Sequence, residues 1–309
     1  MLGSNRLADI VLRLHAVNGE RPGWDERRGI LYFVDMRAPA LHAFDPVTRR
    51  HDWWAMPDWI GTFGILEDGR LTVALRTGLH LFDPGAGSLR MLAPAPYDPR
   101  RFCFNDGRCD RQGRFIVGPM FDPLGPGDPQ PGIAQTAPTW RFDGRGRMEP
   151  MAFRPVKIAN GLAFSPDGRT LYHTDTAIKT IWACDYDPDS GEAANERVFA
   201  RVDEGGPDGG PDGATVDRDG FYLCAVFGAG CLLRFDPDGR LERRIELPVR
   251  YPTMPALGGA DRATLYVTSA SYPVEKREDD PDAGALLSLE APCPGLPTSY
   301  MQPLEEPAP

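Results

Sequence analysis

Short apolar runs alternate with acidic, glycine-containing turns along most of the chain. The runs are rich in β-branched and aromatic residues, as in RRGILYFVD (27–35), DGRTLYHTD (167–175) and DGFYLCAVF (219–227). Runs of about four to eight such residues between turn residues are typical of β-strands. No long stretch with the periodicity of an amphipathic helix interrupts them. The pattern therefore predicts an all-β chain.

The same pattern recurs at regular intervals. Six segments begin at Trp24, Leu66, Cys109, Phe164, Val216 and Gly258. Their spacing of about 40 to 55 residues is in the range of four-stranded propeller blades. Six copies predict a six-bladed β-propeller with a central channel, built as a single domain over residues 1–309.

Three segments fall outside the repeats. The strand-like segment 8–16 is expected to join the last blade and close the ring. The Pro- and Gly-rich segment 121–138 is expected to be an insertion over one face of the disc. The tail, 294–309, is expected to be only partly ordered.

The net charge and the cysteine content limit the kinds of binding partner and the cellular compartment that we expect. The chain has 34 Lys and Arg against 44 Asp and Glu, a formal net charge of −10, which argues against nucleic acid and anionic membranes as partners. It shows neither a signal-peptide pattern nor a membrane span. Its six cysteines include no C-x-x-C pair, so we expect reduced thiols and a cytoplasmic protein. Oligomeric state does not follow from the sequence.

Polar residues stand just before several predicted inner strands: Glu20 in NGERPGW, Asn160 in KIANGLAFSPDG and Asp212 in GPDGATVDRDG. Asn105 takes the same position in the third blade, and of two neighbouring Pro-Asp-Gly turns Asp212, rather than Asp208, aligns with Asn160. Inner strands converge on a propeller axis, so these residues can share one ion. Carboxylate and amide oxygens favour Ca²⁺, with Zn²⁺, Mg²⁺, Mn²⁺ or Fe²⁺ as alternatives. Turn-capping at the blade rims is the competing interpretation.

Four stretches carry a family resemblance. NGERPGWDERRGILYFVD, FNDGRCDRQGRFIVGPM, ANGLAFSPDGRTLYHTDT and PDGATVDRDGFYLCAVFGAGCLLRFDPDG resemble, in order, signature stretches of the SMP-30/gluconolactonase/regucalcin family. That resemblance implies a six-bladed propeller that uses one divalent cation to hydrolyse a small-molecule lactone.

The resemblance also implies residue roles. Glu20, Asn160 and Asp212 match the family's metal ligands, Asp212 also matches its general base, and Asn105 matches a substrate-binding residue. The family often has Arg two residues before that Asn. This chain has Cys103 there and Arg101 two residues earlier, so either is a candidate for the substrate contact.

Two non-enzymatic functions compete with lactone hydrolysis, namely a calcium-binding propeller and an interaction scaffold of the NHL type. The chain has no G-x-S-x-G motif, and none of its histidines, among them His173, stands in a recognisable catalytic setting. Asp175, in the same strand as His173, is expected either to support the ion or to bond neighbouring backbone.

Overall fold

Six four-stranded antiparallel sheets make up the computed structural model of the chain. The structure describes residues 8–123, 135–203, 209–274, 277–302 and 304. The first strands of successive sheets pack against one another in a closed cycle, which places them around a central axis. This arrangement confirms the predicted six-bladed β-propeller. No helix among the described residues is long and apolar enough to cross a membrane.

In each blade the strands follow chain order from the inner edge outwards, except for the outermost strand of the last blade, which comes from the start of the chain. After β1 (Asp9–Leu12), blades one to three contain β2 (Gly19–Asp25), β3 (Ile30–Asp35), β4 (Ala40–Phe44) and β5 (His51–Ala55); β6 (Ile60–Ile65), β7 (Leu71–Leu75), β8 (Gly78–Asp83) and β9 (Ser88–Pro94); and β10 (Phe102–Cys109), β11 (Phe115–Phe121), β12 (Trp140–Phe142) and β13 (Met148–Pro150).

Blades four to six follow the same plan. They contain β14 (Ala159–Phe164), β15 (Thr170–Asp175), β16 (Thr180–Asp187) and β17 (Glu192–Arg201); β18 (Gly210–Val216), β19 (Tyr222–Phe227), β20 (Cys231–Phe235) and β21 (Leu241–Glu246); and β22 (Pro252–Gly258), β23 (Thr264–Ser269) and β24 (Leu286–Glu290). Two short 3-10 helices, Thr176–Ile178 and Arg277–Asp279, lie in connections.

The ring closes between the two ends of the chain. Strand β1 pairs antiparallel with β24 and forms the outer strand of the last blade, over a shorter range than the segment 8–16. Of the segment 121–138, residues 124–134 lie outside the described part. In the tail, Thr298 Oγ1 donates to Trp24 O (2.8 Å) and Met301 N donates to Ile65 O (2.7 Å). These bonds show that the tail crosses the face where the inner strands of the first two blades end.

An aspartate builds the turn after every inner strand. Its Oδ1 accepts a hydrogen bond from the backbone N–H two residues further on, which is the local bond that makes Asp a turn former. The six residues are Asp25, Asp68, Asp110, Asp167, Asp217 and Asp261. This bond explains why the acidic turns in the sequence mark the blades.

Every inner strand also carries a bulge near its start. Such bulges redirect side chains and recur beside functional sites. The register with the second strand shifts between Glu20 and Gly23, Ile60 and Thr62, Phe104 and Gly107, Asn160 and Ala163, Pro211 and Ala214, and Pro252 and Met254. The four residues singled out in the sequence all lie at these bulges.

Candidate metal centre

Glu20, Asn105, Asn160 and Asp212 lie at matching positions on the inner strands of blades one, three, four and five. All four side chains are more than nine-tenths buried. At the Asn160 bulge the next residue must be glycine, because Gly161 has φ +62° and an added Cβ would lie 2.2 Å from Tyr222 Oη. The local backbone is therefore built to present the Asn160 side chain.

Hydrogen bonds join three blades at this level. Asn105 Nδ2 donates to Asn160 Oδ1 (3.1 Å) and to the Ala159 carbonyl (2.8 Å). Asn160 Nδ2 donates to Thr176 Oγ1 (2.8 Å), which in turn donates to the carbonyl of Pro211 (2.7 Å), the residue before Asp212. The amide of Asn160 is thus held with its oxygen on the side of Asn105.

The carboxylates on the axis repel each other. Burial raises the pKa of Glu20 well above its ordinary value, and the charge of Asp212 raises it further. Burial and the charge of Asp106 likewise raise the pKa of Asp212. Buried acids in this position need protons or a cation to compensate them. Two carboxylates and an amide oxygen are a donor set that suits a hard divalent cation, so the residues present fit the ion that the sequence implies.

Asp106 is a third carboxylate that the sequence analysis did not assign to the site. Its oxygens accept hydrogen bonds from the backbone N–H of Gly107 (2.7 Å) and of Leu162 (2.8 Å), two residues beyond Asn160. It therefore fastens the bulge of blade three to that of blade four. Its position directly after Asn105, in an Asn-Asp-Gly triplet, is the sequence feature that could have indicated this role.

Two further aspartates hold the backbone ahead of the candidate ligands. Asp35 accepts from the N–H groups of Val17 (2.7 Å) and Asn18 (3.1 Å), just before Glu20. Asp175 accepts from those of Lys157 (3.0 Å) and Ile158 (3.1 Å), just before Asn160. Of the two expectations for Asp175, the structure shows the bonds to neighbouring backbone.

Arg101 and Cys103 occupy different environments. The half-buried guanidinium of Arg101 lies 5.6 Å from the ring centre of Phe121, at the end of the disc where the inner strands begin. Cys103 has no exposed surface, and its thiol donates weakly to the Met120 carbonyl (3.9 Å) while packing in the apolar core that contains Trp59. The structure does not bring the Cys103 side chain into the group formed by the other candidates.

A separate cluster lies on the second, third and fourth strands of blade four. Single ligand atoms of His173, Cys184 and Glu196 lie within 4.8 Å of one another. Glu196 already accepts from Arg154 Nε (2.6 Å) and faces His173 Nε2 (3.0 Å). Burial lowers the pKa of His173 and raises that of the Cys184 thiol to about 12, so the thiol stays protonated at neutral pH. We assign this cluster to the polar interior of the blade.

A family model described as "SMP-30/Gluconolactonase/LRE-like region" matches residues 18–271 of the chain, which include all the candidate residues. The chain belongs to this family.

Proteins similar to this chain include sugar lactonases and regucalcins. The SMP-30/gluconolactonase/LRE-like chain is 37% identical over 295 residues to the 6-deoxy-6-sulfogluconolactonase of Pseudomonas putida, covering 94% of this chain and 97% of that one. It is 35% identical to the L-arabinolactonase of Azospirillum brasilense, covering 91% of each chain. The crystal structure of regucalcin from Agrobacterium tumefaciens, described as a calcium-binding protein, superposes with a TM-score of 0.84 at 26% identity and 97% coverage of both chains.

Proposed function

We propose that this protein is a lactonase that opens a sugar lactone or a similar cyclic ester with water. Glu20, Asn160 and Asp212 would hold one divalent cation, and Ca²⁺ is the first candidate because every donor is an oxygen. The bound cation would supply a Lewis acid that polarises the lactone carbonyl. Asp212 would serve both as a ligand and as the general base.

The residues of the chain account for the remaining chemistry. The Asp212 carboxylate accepts a proton from the attacking water, whose oxygen forms the new bond to the carbonyl carbon. The ring C–O bond then breaks, and the same proton passes to the leaving alkoxide to give a hydroxy acid. Asn105, held against Asn160, orients the substrate above them. No covalent nucleophile is needed.

The observation that carries this proposal is the meeting of two buried, mutually repelling carboxylates with a fixed amide on the axis of the ring. Membership of a family whose relatives at 35–37% identity are named lactonases supports the reaction class. A non-enzymatic calcium-binding propeller remains the second candidate, because the regucalcin relative is described as a calcium-binding protein.

We infer that the substrate is a lactone with an anionic substituent, because cationic side chains lie at the end of the disc where the inner strands begin, as the candidate ligands do. The cations of Arg101 and Lys157 lie 5.6 and 6.0 Å from the ring centre of Phe121, and Arg37 lies 4.6 Å from that of Tyr272. One relative is named for a sulfonated gluconolactone, which carries such a group. A neutral aldonolactone is the alternative substrate.

We also propose that the protein works in the cytoplasm, with neither nucleic acid nor a membrane as partner. All six cysteines are free and buried, as expected in a reducing compartment. The net charge of −10 opposes binding to polyanions.

The test combines metal analysis with a lactone panel. Purified protein is assayed by pH-stat on gluconolactone, arabinolactone and 6-deoxy-6-sulfogluconolactone, before and after EDTA treatment and after each divalent metal is added back. We expect EDTA to abolish hydrolysis, and Asp212→Asn to lower kcat at least about 10²-fold with an unchanged melting temperature. Calcium binding without hydrolysis of any lactone would support the calcium-binding propeller, whereas full activity in Asp212→Asn would remove the mechanism.

A further inference from the structure

A buried arginine of blade two reaches into the turn that carries Arg101 on blade three. Arg76 directly follows β7, whose last residue, Leu75, pairs with Ile60 at the start of the inner strand β6. It therefore lies at the end of the disc where the inner strands begin. Arg76 is only 4% exposed, so its guanidinium is held among protein groups rather than in solvent.

The guanidinium contacts the turn before β10 and the segment after β11. Arg76 Nη1 is shared among three carbonyl oxygens, those of Pro99 (3.3 Å), Phe102 (3.4 Å) and Asp122 (3.0 Å). Arg76 Nη2 also donates to the Asp122 carboxylate. The planar fork of an arginine offers several N–H groups in fixed directions, whereas a lysine offers a single ammonium. The side chain of Arg76 thus ties the two segments together.

Backbone hydrogen bonds connect the same residues to Arg101. The N–H groups of Arg101 (3.0 Å) and Phe102 (3.1 Å) donate to the carbonyl of Asp98, which closes the turn. The N–H of Asp122 donates to the carbonyl of Arg101 (2.9 Å). The residue that follows Arg101 and the residue that bonds its carbonyl are therefore both held by Arg76.

Charge and packing keep Arg76 in this position. Asp122 pairs with its charge, and Asp58 Oδ1 lies 3.9 Å from its Nε. The ring centre of Trp59 lies 5.6 Å from the guanidinium, and Trp59 is itself fixed because its Nε1 donates to the carbonyl of Phe104 (3.0 Å). Since its N–H groups are occupied by the protein, Arg76 is placed to hold other residues rather than to contact a substrate.

We propose that Arg76 is a positioning residue for the recognition of substrate charge. It fixes the turn Asp98–Phe102 so that Arg101 meets the anionic group of the lactone. This role rests on the proposed function, in which a cation at this rim recognises that group. Without the fork the turn is free to move, and ordering it again on binding lowers the affinity for a charged lactone. A neutral lactone, which does not use Arg101, binds as before.

Arg76→Lys separates geometry from charge, because lysine keeps the positive charge but lacks the fork. KM and kcat are measured for 6-deoxy-6-sulfogluconolactone and for gluconolactone. We expect KM for the sulfonated lactone to rise about 5-fold, with little change in kcat or in KM for gluconolactone. Equal rises for both lactones, or no rise in Arg76→Lys when Arg101→Ala does raise KM, would overturn the proposal. No effect in Arg101→Ala would instead refute the anionic substrate, and this role with it.

A double variant shows whether Arg76 acts through Arg101. In Arg76→Lys/Arg101→Ala, KM for the sulfonated lactone should stay within about 1.5-fold of that in Arg101→Ala, because no guanidinium is left to position. A further rise of about 5-fold would mean that the two residues act independently, which contradicts the role.

Amide hydrogen exchange examines the turn without any substrate. The N–H groups of Arg101, Phe102 and Asp122 close the turn and should exchange at least about 5-fold faster in Arg76→Lys than in the wild type. Unchanged exchange at all three would refute the proposal, whatever the substrate proves to be.

Arg114→Lys is the matched control. Arg114 also pairs with an aspartate, Asp110, and donates to two backbone carbonyls (2.9 and 2.5 Å), but it lies at the opposite face, where β10 ends. This variant should leave both KM values and the exchange of the turn Asp98–Phe102 at wild-type levels. If it changes them as Arg76→Lys does, the effect is a general loss of stability and the proposal fails.

Asp122→Ala covers the case in which Arg76→Lys fails to fold. Asp122 is half-buried, and the substitution removes its ion pair with Arg76 while keeping its backbone bond to Arg101. KM for the sulfonated lactone should rise about 2-fold or more and KM for gluconolactone should not change. Wild-type KM values for both lactones would count against the positioning role.

Discussion

Removing the carboxylate of Asp175 tests whether this residue sets the position of a candidate metal ligand. In Asp175→Ala the N–H groups of Lys157, Ile158 and Ala177 lose an acceptor at 3.0 to 3.1 Å. A hydrogen bond contributes about 1 kcal/mol net, so the three together predict a loss of about 3 kcal/mol in the free energy of unfolding. Because Ile158 lies two residues before Asn160, the amide of Asn160 should also lose its fixed position.

Two measurements separate the local loss of stability from the effect on the metal centre. Urea denaturation in EDTA gives the free energy of unfolding, and calorimetric titration gives the dissociation constant for the cation, which should rise about 10-fold or more. Asp143→Ala is the control, since Asp143 also accepts two backbone N–H groups but lies in a turn with exposed partners. The control should lose about 1 kcal/mol or less and keep its cation affinity. Cation affinity at the wild-type level in Asp175→Ala would refute the reasoning, whatever the loss of stability.

Three further predictions concern the first blade, the rim and the fourth blade. Burial and the charge of His51 lower the pKa of His42 to about 4, so the unfolded chain binds a proton more readily than the folded one. The free energy of unfolding should therefore fall by about 2 kcal/mol between pH 7 and pH 5. Urea denaturation of His42→Phe should show a smaller fall. A pH dependence equal in both proteins would contradict this origin. Arg101→Ala should raise KM for a sulfonated lactone at least about 5-fold with little change in kcat, and an equal rise for gluconolactone would argue against charge recognition. Gly161→Ala should cost more than about 2 kcal/mol in urea denaturation, because the new Cβ meets Tyr222 Oη; a loss below about 0.5 kcal/mol would show that the bulge tolerates a side chain.

The repeat and its turns could be predicted because their chemistry is local. An aspartate that bonds the N–H two residues ahead, followed by a short β-branched strand, leaves the same mark in every blade. The candidate ligands Glu20, Asn160 and Asp212 could be picked out for a related reason. Each stands at the start of an inner strand, and that position is visible in sequence register.

Other parts of the site could not be predicted because they depend on contacts between blades. Asp106 resembles a turn residue in sequence, yet its carboxylate reaches across to the backbone of Leu162 in the next blade. Cys103 stands where a substrate contact was expected, but its thiol is enclosed by core residues of neighbouring blades. No local sequence pattern indicates which side of a strand faces the neighbouring blade.

The sequence by itself determined the number of blades, the order of the strands and the residue types offered to the axis, since these follow from periodicity and turn chemistry. Only the tertiary structure determined the pKa values of those residues and the hydrogen bonds that fix their positions. Closing the ring buries carboxylates from blades one, three and five together, which raises their pKa values. Burial and repulsion act between residues that are distant along the chain, so they exist only once the six sheets have packed around one channel.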